Sequence, residues 1–183
     1  MEKIMKHPLE FIPVKNRKPP FITFLFLTLI LFSIFRVLDM PLQTDYAPSG
    51  IVSFELAGSA QNAAHMVLTW SGEAMLNASF GLGIDYLFMP IYALALAFGT
   101  LLAGSRHRGW LKSLGAVAGY GAFAAPLFDA VENYALFRIL QGAFESPYPE
   151  IAFYSALAKF GLLVFGIVVA VLCGVLPKAK EKN

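Results

Sequence analysis

A single cysteine, Cys173, stands in 183 residues. An intrachain disulfide and a zinc site of paired cysteines are therefore excluded, as is thiol–disulfide chemistry unless a partner supplies the second thiol. Histidine is scarce as well, and none of the three falls within a long apolar run. That argues against haem ligation and against the carboxylate-plus-histidine spacing of di-iron bundles. His65 reaches the acidic residues discussed below only if its own segment folds over them. Ser-His-Asp or Cys-His catalysis lacks a matched base and a recognisable elbow, and both a Walker loop and a dinucleotide fingerprint are missing. No cofactor, no metal and no nucleic-acid partner is expected.

Charge is the other shortage. Charged residues make up 14% of the chain, whereas a soluble domain of this size carries about a quarter. Hydrophobic residues make up 57%, and the mean hydropathy is +0.63. The sequence reads as an all-α, multi-pass membrane protein.

What charge there is follows a pattern. Lys3, Lys6, Lys15, Arg17 and Lys18 precede the first apolar run, Arg106, Arg108 and Lys112 lie between the second and third, and Lys178, Lys180 and Lys182 follow the last. The other two connections carry Asp45, Glu55, Glu73, Glu145 and Glu150. By the positive-inside rule both termini and the middle loop are cytoplasmic, which requires an even number of spans in the plasma (cell inner) membrane. Four are expected, forming one bundle over 20–177: about 20–40, 80–104, 110–140 and 151–177, each near or above the ~20 residues a bilayer core requires. Residues 1–19 form a basic arm, and 178–183 a basic tail. The run from Phe21 to Phe35 has no small-residue cleavage pattern after it and is followed by Arg36 and Asp39, so it reads as an uncleaved signal anchor.

The external segment 41–79 is too long for a simple connection between packed helices. Ile51 to Ala57 is either extended or the start of a helix. From Ser59 an amphipathic helix is expected: Ser59 is a good N-cap, and Ala63, Val67, Trp70 and Ala74 recur at helical spacing. It would lie on the outer membrane surface or cap the bundle, with Trp70 at the interface. Asn77-Ala78-Ser79 fits the glycosylation sequon, a triplet common by chance, and is discounted this close to the membrane.

Inside the spans the polar residues are few. Arg36 and Asp39 share a helical face at the end of span one, and either snorkel into water or face the bundle. Asp85 opens span two, as a helix-start carboxylate or as an interior group, and Pro90 predicts a kink below it. Gly115 and Gly119 make a GxxxG surface for close packing within the bundle or for a homodimer. Span three then carries Asp129, Glu132 and Asn133 on one face, and span four carries Lys159. At ~1.5 Å per residue all these charges fall in the outer half of their spans. An acid at a helix centre costs ~2.5 to 3.5 kcal/mol on insertion scales, so Asp129 and Glu132 must face other helices. There Lys159, Arg36 or Arg138 can pair with them, or one acid can stay protonated.

In layout, with four spans, both ends inside, a long first external segment, acids in spans one and two and a lysine tail, the chain resembles the small EXPERA-type sterol-handling membrane proteins. No residue motif carries that likeness, so it assigns no residue a role. Three functions fit the sequence: a bundle whose outer-leaflet polar pocket binds or handles a small amphipathic or lipid-like molecule through Asp129 and Glu132; a structural or accessory membrane subunit whose charges are internal salt bridges; and an ion or proton pathway, which the uncharged inner half argues against.

Overall fold

The computed structural model describes residues 5–145 and 147–177, which leaves Lys3 and the lysine tail outside the described residues. The elements follow in order: α1 (Lys18–Asp39), α2 (Ile51–Glu55), α3 (Ala60–Thr69), α4 (Gly72–Gly104), α5 (Trp110–Leu140) and α6 (Tyr148–Val175). Short 3-10 turns lie at Val14–Asn16 and Met40–Leu42, and no strand forms among the described residues. Among the described residues, four helices are long and apolar enough to cross a membrane. No residue in the most apolar window of α1 is buried, and Phe26, Leu29, Phe32 and Val37 all point outward. Water would penalise such a surface, whereas hydrocarbon accepts it.

Helix limits follow local chemistry. Ser59 accepts a hydrogen bond from the Asn62 amide at 3.2 Å and starts α3, as its residue type predicts. Trp70 turns extended and ends it. Ser71 then caps a new helix by accepting from the Ala74 amide, so α4 begins at Gly72 rather than near Phe80. Ala74 thus belongs to α4 and not to the amphipathic helix expected from Ser59. Pro90 and Pro126 both lie inside continuous helices.

The chain divides into two compact units. One comprises Met1–Thr28, Pro90–Pro126 and Phe160–Asn183. In it the basic arm is folded onto α4 and α5. The buried His7 ring contacts Thr100 Oγ1 at 3.2 Å, Lys112 pairs with Glu10 at 2.5 Å, and the Met5 amide donates to Ser113 Oγ. Arg17 is buried and donates to the carbonyls of Ile12 and Glu10, closing the arm on itself. The glycines of the GxxxG pattern are covered from within the chain. A Cβ on Gly115 would sit 3.0 Å from the Cα of Gly104, and one on Gly119 would collide with the His7 ring. At the other end of the α4–α5 loop, His107 contacts the Cys173 carbonyl at 2.7 Å and Arg106 donates to the Gly174 carbonyl, so the loop covers two of the last acceptors of α6.

The second unit comprises Leu29–Met89 and Leu127–Lys159. Its core gathers Leu42, Phe54, Ala63, Val67, Trp70, Leu82, Leu136 and Ile139. Trp70 is 7% exposed, donates its indole N–H to the Leu42 carbonyl at 2.9 Å and meets Phe54 edge to face. It is a core residue of this unit rather than an interfacial anchor. The apolar face of α3 is covered by protein, Ala63 and Val67 being buried. Burying Phe54 stabilises the unit by ~1.5–3 kcal/mol, and that is what holds the five-residue α2, too short to persist alone, in place.

Candidate functional site

The polar centre of the second unit is built from three helices. Asp129 and Glu132 stand three residues apart on one face of α5, α6 supplies Lys159, and α2 supplies Glu55. The Lys159 Nζ lies 2.8 Å from Glu132 Oε1, 3.2 Å from Asp129 Oδ1 and 3.5 Å from Glu55 Oε1. An ammonium has three N–H donors, and three carboxyl groups surround this one. All four side chains are buried, Glu132 completely.

Beside them, Asn133 is 1% exposed and donates from Nδ2 to Asp85 Oδ2 at 2.8 Å and to the Leu82 carbonyl at 3.4 Å. Asp85 is half-buried, and the hydroxyl of its neighbour Tyr86 donates to the Ala130 carbonyl. Four acids, Glu55, Asp85, Asp129 and Glu132, thus gather around one lysine. Within this cluster, among the described residues, three acceptors are buried without a hydrogen-bond partner: Glu55 Oε2, Glu132 Oε2 and Asn133 Oδ1. Leaving such atoms unpaired costs about 1–3 kcal/mol each, more for charged groups. Burial pushes the Glu55 carboxyl up from its ordinary range; Lys159 opposes that rise and Asp129 adds to it.

Of the eight residues singled out in the sequence, Asp129, Glu132 and Lys159 meet directly, with Asp85 and Asn133 adjoining through one hydrogen bond. Arg36, Asp39 and Arg138 do not join them. The Arg36 side chain is 64% exposed and, among the described residues, pairs only with Asp39, at 3.9 Å. Asp39 is buried and accepts from the Ile51 amide at 2.6 Å, holding the start of α2, and also from Gln43. Arg138 lies over the Tyr148 ring, 5.5 Å from its centre, and donates to Gln141. Arg36 and Arg138 are therefore not the counter-ions of the acids; Arg36 reaches Asp39, and Arg138 meets an aromatic ring and a side-chain amide. His65 is exposed and meets the Tyr46 ring edge to face.

Glu55 is the member that sequence reasoning left out. Its signal was modest: within Ile51 to Ala57 only Ser53 and Glu55 are polar, so a carboxylate in an apolar run of undecided conformation was available to be buried. The arm was missed for a different reason. His7 finds its partner 93 residues away, and no local pattern announces that contact.

Fold and cluster together define a class: a helical protein with four membrane-length helices that encloses one lysine among carboxyl groups. Comparison of the chain with protein-family models, with curated proteins and with solved structures finds no match.

Proposed function

We propose that this is a four-span membrane protein, with both termini cytoplasmic and the 41–71 connection external, whose buried acidic cluster binds a small amphipathic or lipid-like molecule in the outer leaflet. The observation that carries this reading is the surplus of acceptors. Glu55, Glu132 and Asn133 each keep a buried oxygen without a donor, although Lys159 already serves three carboxyl groups. A headgroup rich in hydroxyl or ammonium donors supplies what the protein lacks, and the apolar helix faces around it suit a hydrocarbon tail.

The experiment compares the wild type with the Asp129→Asn, Glu132→Gln double variant, purified from membranes and analysed by native mass spectrometry beside thermal unfolding. A molecule retained by the wild type and lost from a variant that still unfolds cooperatively supports binding. If the wild type carries nothing and the variant fails to fold, the cluster is structural. One observation favours that second reading, of a structural or accessory subunit: Lys159 ties α2 to α5 and α6 at a single atom, as a purely mechanical rivet would.

A further inference from the structure

The basic arm presents an inverted surface: Arg17 is buried, whereas Phe11 is 80% exposed and Val14 73%. Its hydrogen bonds impose the inversion. The Arg17 guanidinium donates to the carbonyls of Glu10 and Ile12, the residues on either side of Phe11. The Asn16 amide donates to the Pro13 carbonyl across the 3-10 turn that carries Val14. His7 and Glu10 fasten the same stretch to Thr100 and Lys112. The two apolar side chains are therefore held outward on a fixed backbone, with little conformational freedom left to lose when something covers them. Water disfavours such a surface.

Charge identifies what covers it. Among the described residues of this unit Glu10 is the only acid, and Lys112 already pairs with it. Lys6, Lys15, Lys18, Arg106 and Arg108 are all exposed, and none of them forms an ion pair among the described residues. His7, Arg17, Ser105 and Lys112 line one cavity, which places the arm beside the α4–α5 loop that carries the two arginines. That cavity measures about 10 Å³, room for a single water, so an anion has to be met on the surface rather than inside. Trp110, exposed at the start of α5, is a residue type that settles at the level of lipid headgroups. The arm also leads directly into α1, whose most apolar window has no buried residue. Exposed apolar side chains accompanied by unpaired lysine and arginine match the boundary of an anionic leaflet, where acyl chains begin just below the phosphates.

We propose that the folded arm is a membrane wedge: Phe11 and Val14 enter the acyl chains of the leaflet that faces the cytoplasm in the arrangement above, and Lys6, Lys15, Lys18, Arg106 and Arg108 bind the phosphates of anionic phospholipids. The wedge needs that bilayer arrangement but not the acidic cluster.

The first test places an environment-sensitive fluorophore on residue 11 of the full-length protein, through Phe11→Cys in a Cys173→Ala background, in nanodiscs of phosphatidylcholine and phosphatidylglycerol. Its emission should lie to the blue of the same label on Gln61→Cys, be quenched by doxyl-labelled lipid and be shielded from iodide. Water-like emission with full iodide quenching overturns the wedge and leaves the face to a protein partner. Lipid choice is read by native mass spectrometry after exposure to equimolar phosphatidylglycerol and phosphatidylcholine. The wild type should retain the anionic lipid in excess, and the Lys15→Gln, Lys18→Gln double variant should lower that excess by up to roughly fivefold for each charge removed. Equal retention of the two lipids by the wild type, or the same excess in the double variant, overturns the headgroup assignment. Inorganic phosphate should leave the bound lipid in place; displacement by it would assign the cations to free phosphate and overturn the proposal. None of these results bears on a molecule lost from the Asp129→Asn, Glu132→Gln variant, so the wedge and the binding reading stand or fall separately.

Discussion

Lys159 is the residue on which the cluster depends. It is the sole cation in direct contact with Asp129, Glu132 and Glu55 among the described residues, at 5% exposure. Replacing it by methionine keeps the stem's volume but leaves three buried acids without a counter-charge. Breaking a buried pair in this way costs about 3–5 kcal/mol. Lys159→Met should accordingly lower the unfolding temperature sharply at pH 8, and by much less at pH 5, where the acids can protonate. A thermal shift equal at both pH values would show that the acids are already neutral in the wild type. At this scale the sequence disclosed a good deal. Asp129, Glu132 and Lys159 were legible because a charge in an apolar helix must find a partner. Arg36 and Arg138 matched Lys159 by sign, yet each stands near a helix end, where water, a ring or a side-chain amide competes for it.

Among the elements, the arm makes the clearest forecast. The Leu9 amide donates to His7 Nδ1 at 3.1 Å, so that nitrogen is the acceptor and the ring is neutral, with Nε2 left to face Thr100. Burial is the main cause that lowers the His7 imidazole to about 4 from 6.5; Glu10 opposes the shift and Arg17 adds to it. A depressed folded-state value means that the docked arm is favoured above pH 6.5 and loses this contribution as pH falls from about 6.5 towards 4. Glu10, held down chiefly by its hydrogen bond to Lys112, loses its contribution further into acid. Amide protection over residues 9–12 should thus fall on acidification, by up to roughly tenfold per pH unit. His7→Ala should show low protection throughout, with no slope above pH 5. The limits of α5 agree with the sequence reading because the apolar run and the helix coincide. Those of α4 do not, because its first turns, Gly72 to Asn77, are too polar to signal a span and are set by the Ser71 cap.

For the molecule as a whole, the length and hydropathy of four helices were open to direct reading, and their membrane arrangement is a proposal with a plain check. In a Cys173→Ala background, cysteine at exposed Gln61 should react with an impermeant maleimide added to intact cells, and cysteine at exposed Ser105 only after permeabilisation. Labelling of Ser105→Cys from outside would invert the topology. What the sequence could not convey is which distant segments return to the helices. The arm at Thr100 and α2 at Lys159 are both tertiary contacts made by stretches without periodicity.

The contact between α5 and α6 also bears on how the chain is made. Asp129 and Glu132 are synthesised 30 and 27 residues before the lysine that neutralises them. In the bilayer arrangement proposed here, α5 leaves the ribosome with two acids and no counter-ion, and lipid would reject that face. It must wait in a polar setting, at the insertion machinery, until Lys159 emerges. Helices α5 and α6 then enter the hydrocarbon as a pair, so that the ion cluster of the finished protein also sets the order of its assembly.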